Sequence, residues 1–246
     1  MHGLLPIMKS RFWPCLNRRS LEIKDQKHWE EIGRIQATNQ SKHVTLLALL
    51  AIGGMVYFLA AVVVLHFLRP EYNPIDHAVS NYAVGSFGYV MTSAFYVLAV
   101  SLFALSLSLF LSIALTNLSR IAILLLYLAS SGMVVMGIFP GDAHALHPPA
   151  TITGVVHWAA AGISFLSVMI AAFLLSVSFK TDERFQRFQR PCFNFAIVMV
   201  GALLLYGILA LVGWIGIGQR VFLAVCLLWL LVLAKWMWAN ASIGTN

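Results

Sequence analysis

Between Val44 and Ala239 the chain is almost continuously apolar, and only five short polar segments interrupt it. About 20 consecutive apolar residues are enough for a helix to cross the hydrocarbon core of a bilayer. Inside that core every backbone N–H and C=O group needs a partner within the protein, and a helix provides these partners within one segment. The sequence therefore predicts an all-α fold, a polytopic integral membrane bundle of transmembrane helices.

The polar segments divide the apolar region into six predicted spans. They run approximately from Val44 to Leu68, Tyr89 to Leu115, Ile121 to Phe139, Thr153 to Phe179, Cys192 to Ile217 and Val221 to Ala239. Pro70 and Pro191 mark two of the breaks, because proline cannot continue helical hydrogen bonding. The last break, Gly216–Arg220, is expected to be a short turn or a kink. Ser80 or Asn81 is expected to cap the second span.

Lysine and arginine are distributed unevenly between the two sides of this bundle. If the N-terminus is cytoplasmic, that side receives eight in residues 1–43, four in residues 180–190, Arg120 and Lys235, which is 14 of the 16. Cytoplasmic loops carry such an excess, so both termini are predicted to be cytoplasmic. We expect a basic tail over residues 1–43, a six-helix domain over residues 44–239 and a short tail over residues 240–246. The plasma membrane or a bacterial inner membrane is the expected location.

The tail of residues 1–43 is polar and basic. Leu21, Trp29, Ile32 and Ile35 recur among charged residues at roughly helical spacing, which is typical of a helix on a membrane surface. A partly ordered tail is the alternative. Membrane lipids are predicted partners, and the tail is a candidate contact for anionic lipid or a partner protein. The net charge of +7 does not indicate nucleic-acid binding, because the bilayer explains where the positive residues fall.

Polar and ionisable residues gather on the non-cytoplasmic side of the predicted bundle. Five of the eight histidines are placed there, at positions 66, 77, 144, 147 and 157. His157 lies inside an apolar span, where ionisable residues usually face the bundle interior and mark a site. The other polar residues on this side also have purely structural explanations. The loop histidines can simply be solvated, Asp142 can cap a turn, and Arg220 can anchor its helix at the membrane interface.

We predict a polar pocket on this side that provides a catalytic or binding site. Its predicted members are Asp76, His77, Ser80, Asp142, His157 and Arg220. A carboxylate beside a histidine can fix one imidazole tautomer for acid–base chemistry. His77, Asp142 and His157 can supply three ligands to zinc and leave the fourth position for water. Arg220 is expected to contact a phosphate, and Ser80 to orient the substrate.

Three stretches of the chain carry a family resemblance. They are Asp76-His77-x-x-Ser80-x-Tyr82-x-x-Gly85, Gly137-Ile-Phe139-Pro140-Gly-Asp142 followed by His157, and Gly213-Trp214 followed by Gln219-Arg220. Together these stretches resemble the uncharacterised membrane family called domain of unknown function 998, over about Val44 to Ala239. The resemblance implies a six-span bundle and brings no established activity.

Three functions stay open at this point. One is a lipid-directed enzyme, such as a metal-assisted hydrolase that acts on a lipid or its head group. Another is a small-solute or proton-coupled carrier that uses the same residues as a relay, although the cytoplasmic halves of the spans contain almost no ionisable groups. The third is a non-catalytic accessory or structural membrane subunit. The sequence does not decide whether the protein is an enzyme.

Overall fold

The computed structural model describes residues 13–142 and 149–241, and regular structure in these ranges is entirely helical. Its long helices are α1 (Trp13–Leu68), α2 (Gly88–Ser112), α3 (Asn117–Ile138), α4 (Ile152–Ser178), α5 (Gln186–Leu211) and α6 (Ile215–Ala241). Short 3₁₀ helices occupy Val79–Ala83 and Phe179–Thr181. All six long helices contain a segment long and apolar enough to cross a membrane. The predicted fold class is confirmed, and the chain is a multi-pass membrane protein.

The six helices form a ring, in which each helix packs against its neighbours in sequence and α6 closes against α1. Successive spans run in opposite directions, so the connections at residues 69–87, 139–151 and 212–214 lie at one end, here called the distal end. The opposite end, here called the terminal end, is where α6 ends at Ala241 and from which α1 extends toward Trp13. That the terminal end faces the cytoplasm stays a prediction from the charge distribution.

Helix α1 extends well beyond the predicted first span. It runs unbroken from Trp13, and at ~1.5 Å per residue its 56 residues have a length of about 84 Å. The stretch from Leu21 to Gln36 is therefore the N-terminal part of this helix. Among the side chains that the structure describes, contact with the bundle includes the bond from Gln40 Nε2 to the carbonyl of Leu111. Val44, the predicted start of the span, is the first described residue of the hydrophobic core.

The break between α5 and α6 lies earlier than predicted. The chain turns at Val212–Trp214, where Gly213 has a φ of 84°, in the left-handed region that glycine adopts readily. The predicted turn at Gly216–Arg220 is wrong, because these residues form the first turns of α6. Gly218 is a packing position, since an added Cβ would lie 2.9 Å from the Cα of Tyr206 on α5.

Further boundaries differ from the prediction. Helix α2 ends at Ser112, before the predicted Leu115, and α3 begins at Asn117, before the predicted Ile121. Ser80 and Asn81 lie in the 3₁₀ helix, and the residue that precedes α2 is Phe87, whose side chain forms no capping bond. Helix α5 begins at Gln186, six residues before the predicted start at Cys192. Pro191 is accommodated inside this helix, where it removes one backbone donor without ending the helix.

Candidate functional site

A cavity of about 540 Å³ lies among the helices at the distal end. All six long helices contribute to its wall. Its polar lining residues are Asp76, His77, Ser80, Asn81, Asp142, His157, Tyr206 and Gln219. Its apolar lining includes Phe58, Phe95, Leu98, Met133, Met136, Trp158, Ala161, Gly162, Phe165, Leu166, Leu203, Ile215 and Leu223.

The polar and apolar parts of the lining are separated along the helices. Most of the polar residues lie in the distal connections or in the helix turns next to them. Leu98 lies ten residues into α2 and Leu166 fourteen residues into α4, about 15 and 21 Å of helix at ~1.5 Å per residue. The cavity thus has a polar mouth at the distal end. Its apolar body extends from about one half to about two thirds of the way through a ~30 Å hydrocarbon core.

His157 has one ring nitrogen engaged and one without a partner. Its side chain lines the cavity in a residue that is only 2% exposed. Nδ1 lies 2.8 Å from the carbonyl oxygen of Phe139. Because a carbonyl can only accept, Nδ1 carries a hydrogen and donates it, which leaves a lone pair on Nε2 of the neutral ring. Nε2 is buried and makes no hydrogen bond to any described residue.

Asp76 and His77 form a second polar group at the mouth. Nδ1 of His77 lies 2.9 Å from Oδ1 of Asp76, and the His77 ring packs edge-on against Tyr72 at 5.1 Å between centroids. A hydrogen on Nδ1 directed at the carboxylate leaves Nε2 of His77 as the proton acceptor. Ser80 lines the same cavity, but the described contacts include no hydrogen bond between its hydroxyl and either histidine.

Asp142 lines the cavity and also anchors the start of α4. Its Oδ2 accepts from the backbone N–H groups of Ala150 at 2.7 Å and Thr151 at 3.2 Å, and its Oδ1 accepts from the Thr151 hydroxyl. Thr151 in turn caps α4 by accepting from the N–H of Gly154 at 3.0 Å. The bonds from the Thr151 hydroxyl and the two backbone N–H groups lower the pKa of Asp142 against a smaller opposing effect of burial. The carboxylate is therefore ionised, and both its oxygens bond to the turn that begins α4.

Arg220 does not line the cavity. Its Nη1 donates to the carbonyls of Pro74 at 2.9 Å, His77 at 2.7 Å and Gly216 at 3.1 Å. These bonds join the first turn of α6 to the connection between α1 and α2. The structure thus places Asp76, His77, Ser80, Asp142 and His157 around one cavity and Arg220 behind its wall. The catalytic roles of all six stay predictions.

Two residues that sequence reasoning did not place at the site contribute to its architecture. Gln219 is buried, lines the cavity and accepts from the N–H of Val79 at 2.6 Å. The sequence feature that could have identified Gln219 as a site residue is its position beside Arg220 in an otherwise apolar stretch. Arg69, 5% exposed, donates to the Val84 carbonyl at 2.8 Å. Charge counting alone could not predict its burial under the connection between α1 and α2.

The predicted zinc site is left undecided by the described residues. His144 and His147 lie outside them. Within residues 13–142 and 149–241, no group of three His, Cys, Asp or Glu side chains is arranged to hold a metal ion. The assignment of zinc to His77, Asp142 and His157 therefore stays a prediction.

A ring of six membrane-spanning helices with a cavity at one end defines a multi-pass helical membrane protein. Residues 51–236 of the 246 match DUF998, a family of proteins of unknown function. The chain belongs to this family, and the resemblance expected from the sequence is confirmed. No curated protein and no solved structure matches the chain.

Proposed function

We propose that the protein binds a membrane amphiphile, with the hydrocarbon chain in the apolar body of the cavity and the head group at its polar mouth. The observation that carries the proposal is the presence of both linings in one cavity. A polar solute would lose hydrogen bonds against the apolar walls, and a wholly apolar ligand would leave Nε2 of His157 unpaired. An amphiphile avoids both costs.

The surface of α4 supports access to the cavity from the bilayer. Trp158, Gly162 and Leu166 line the cavity at intervals of four residues, which places them on one helix face. Trp158 is 41% exposed and Leu166 46% exposed, so no neighbouring helix covers this face completely. Helix α5 has no buried residue after Ala202. We therefore place the lipid access route between the distal halves of α4 and α5.

Amphiphile binding would bring a head group to two proton acceptors. These are Nε2 of His157 and the Asp76–His77 pair. A histidine side chain, alone or paired with a carboxylate, can transfer a proton to or from a bound group. A lipid-directed enzyme and a lipid-dependent accessory subunit both require this binding step, so binding is the function to test first.

A pair of glycine substitutions tests the proposal. An added Cβ meets nothing within 4 Å at Gly162 or at Gly201, but only Gly162 lines the cavity. Gly162→Leu is expected to occupy cavity space, whereas Gly201→Leu changes the outer surface of α5. Both variants and the wild type would be purified in mild detergent, and bound amphiphile counted by native mass spectrometry.

We expect the wild type and Gly201→Leu to retain an amphiphile and Gly162→Leu to lose most of it. Equal retention by the two variants would contradict the proposal. So would a wild-type protein that retains no amphiphile even after incubation with lipid.

Zinc at the mouth is a second candidate, favoured by the hydrogen bonding of the two histidines. Histidines that bind metal usually donate their other ring N–H to a carbonyl or carboxylate. His157 donates to Phe139, and His77 has the same relation to Asp76. Elemental analysis of the purified protein tests this candidate, with His157→Asn as the comparison. About one zinc per chain in the wild type only would support it, and a metal-free wild type after incubation with zinc would contradict it.

A further inference from the structure

The charges around the cavity distinguish between classes of head group. Asp76 and Asp142 are among the lining residues, and no lysine or arginine of the described chain is. Residues 143–148, which lie outside the described residues, contain no lysine or arginine, and their ionisable residues are His144 and His147. An anionic head group would therefore approach two carboxylates, and none of the described lining residues is a lysine or arginine that could pair with it.

The two arginines of the distal end are occupied by internal bonds. Arg69 donates to Glu71 and to the carbonyls of Val84 and Ser86. Arg220 binds backbone carbonyls through Nη1, and its Nη2 lies 3.4 Å from the hydroxyl of Tyr82. Phosphate recognition usually employs an arginine fork that faces the ligand, and neither side chain lines this cavity.

Two of the polar groups at the mouth have spare capacity as hydrogen-bond acceptors, beside the hydroxyl groups of Ser80 and Tyr206, which can donate or accept. Nε2 of His157 belongs to a ring that lines the cavity; the atom is buried and has no donor among the described residues. The Asp76 carboxylate has one oxygen beside His77, and its side chain is 45% exposed. A complementary head group therefore donates hydrogen bonds, as hydroxyl and ammonium groups do.

The hydrocarbon chain cannot provide this selectivity. Lipid tails are as apolar as leucine side chains, so moving a chain from the bilayer into an apolar cavity changes its free energy little. Discrimination between membrane amphiphiles with the same chain must therefore come from the mouth of the cavity.

We propose that the cavity selects amphiphiles with hydroxyl or amine head groups and discriminates against phosphate and carboxylate head groups. This inference rests on the proposed function and names its ligand class. It replaces the expectation that Arg220 contacts a phosphate, because the geometry directs the Arg220 guanidinium to protein carbonyls.

A panel of four amphiphiles that share a 16-carbon chain tests the proposed selection of head groups. Hexadecanol, hexadecylamine, palmitate and palmitoyl lysophosphatidate would each compete at pH 8 with radiolabelled monopalmitoylglycerol for the full-length protein in detergent. We expect the alcohol and the amine to compete at least about tenfold more strongly than the two anions, because like charges are costly at close range.

Removal of one carboxylate separates the alcohol from the amine. Asp76→Asn is expected to weaken amine binding by roughly two- to fivefold, the range of a partly exposed ion pair, and to leave the alcohol nearly unchanged. Glu183→Gln makes the same charge change at an exposed position of the terminal end and is the matched control.

The failures of the two proposals are distinguishable. If palmitate or lysophosphatidate competes as strongly as hexadecanol, and Gly162→Leu still abolishes binding, amphiphile binding stands and the head-group selection is wrong. If the label binds but neither hexadecanol nor hexadecylamine displaces it, the head-group selection is wrong. If neither the label nor any member of the panel binds, both proposals are wrong.

Discussion

Two substitutions of His157 separate the contributions of its ring nitrogens. Asparagine places an amide nitrogen near the position of Nδ1, so it retains a donor for the Phe139 carbonyl and removes the acceptor at Nε2. Phenylalanine keeps the shape of a ring and removes both groups. If Nδ1 stabilises the fold and Nε2 contacts the ligand, the two variants differ in stability and agree in their loss of binding.

The magnitudes follow from the geometry of the bond to Phe139. It spans 2.8 Å from a side chain that is 2% exposed, so its loss leaves a carbonyl without its donor. Such a loss costs about 1–3 kcal/mol. A chain of this size loses roughly 2–4 °C in unfolding temperature per kcal/mol, so we expect a decrease of about 2–12 °C for His157→Phe. Loss of the ligand bond at Nε2 is expected to weaken amphiphile binding about two- to tenfold in both variants.

Thermal unfolding by circular dichroism and competition with labelled monopalmitoylglycerol measure the two effects in one detergent. His66→Asn is the matched control, because His66 lies at the distal end of α1 and does not line the cavity. Wild-type binding by His157→Asn would refute the role of Nε2. Equal unfolding temperatures for the asparagine and phenylalanine variants would refute the role of Nδ1.

Two further predictions concern the packing of the bundle. Asp182 accepts from the N–H of Ala114 at 3.0 Å and from Arg184, so Asp182→Ala is expected to destabilise the fold by about 1–3 kcal/mol at pH 7. Burial raises the pKa of Asp182, but these bonds outweigh burial and lower it. Its contribution is complete above the ordinary carboxyl pKa of about 3.9 and is lost as the pH falls through the lower folded value. The unfolding temperatures of variant and wild type should thus converge in acid, and a constant difference would contradict the assignment. At the contact between α1 and α2, Gly54→Ala is expected to destabilise by about 1–3 kcal/mol, because its Cβ would overlap the Ser101 hydroxyl. Gly53→Ala meets nothing within 4 Å, so equal unfolding temperatures of the two alanine variants would contradict this.

The number of helices could be predicted from the sequence because the bilayer sets their length. The predicted end of the first span at Leu68 and start of the second at Tyr89 agree with the structure to within one residue. The α5–α6 turn was misplaced because glycine has two uses in membrane proteins. It permits the left-handed turn at Gly213, and it also permits close helix contact at Gly218. Local composition does not distinguish between these uses.

For the candidate site, the sequence predicted most of the residues that meet but not their hydrogen-bond partners. Clustering of polar residues in the distal connections indicated which side chains would meet, because those connections converge at one end of a ring. Hydrogen-bond partners could not be predicted in the same way. Arg220 and Asp142 both bond to backbone groups that approach them only after the connections fold. The burial of Gln219 likewise depends on its contact with Val79, 140 residues earlier in the chain.

The polar groups at the distal end differ in whether folding alone explains them. The bonds of Asp142 and Arg220 begin α4 and hold the connection between α1 and α2, so both residues are accounted for by structure. Folding explains only one of the two ring nitrogens of His157. Its Nδ1 bond to Phe139 would be compatible with a structural residue, but its buried Nε2 lacks a partner among the described residues. An unpaired buried acceptor costs free energy, and a ligand that donates a hydrogen bond would offset that cost. For this reason we propose that the ligand contacts Nε2 of His157, whereas Asp142 and Arg220 hold the connections that shape the mouth.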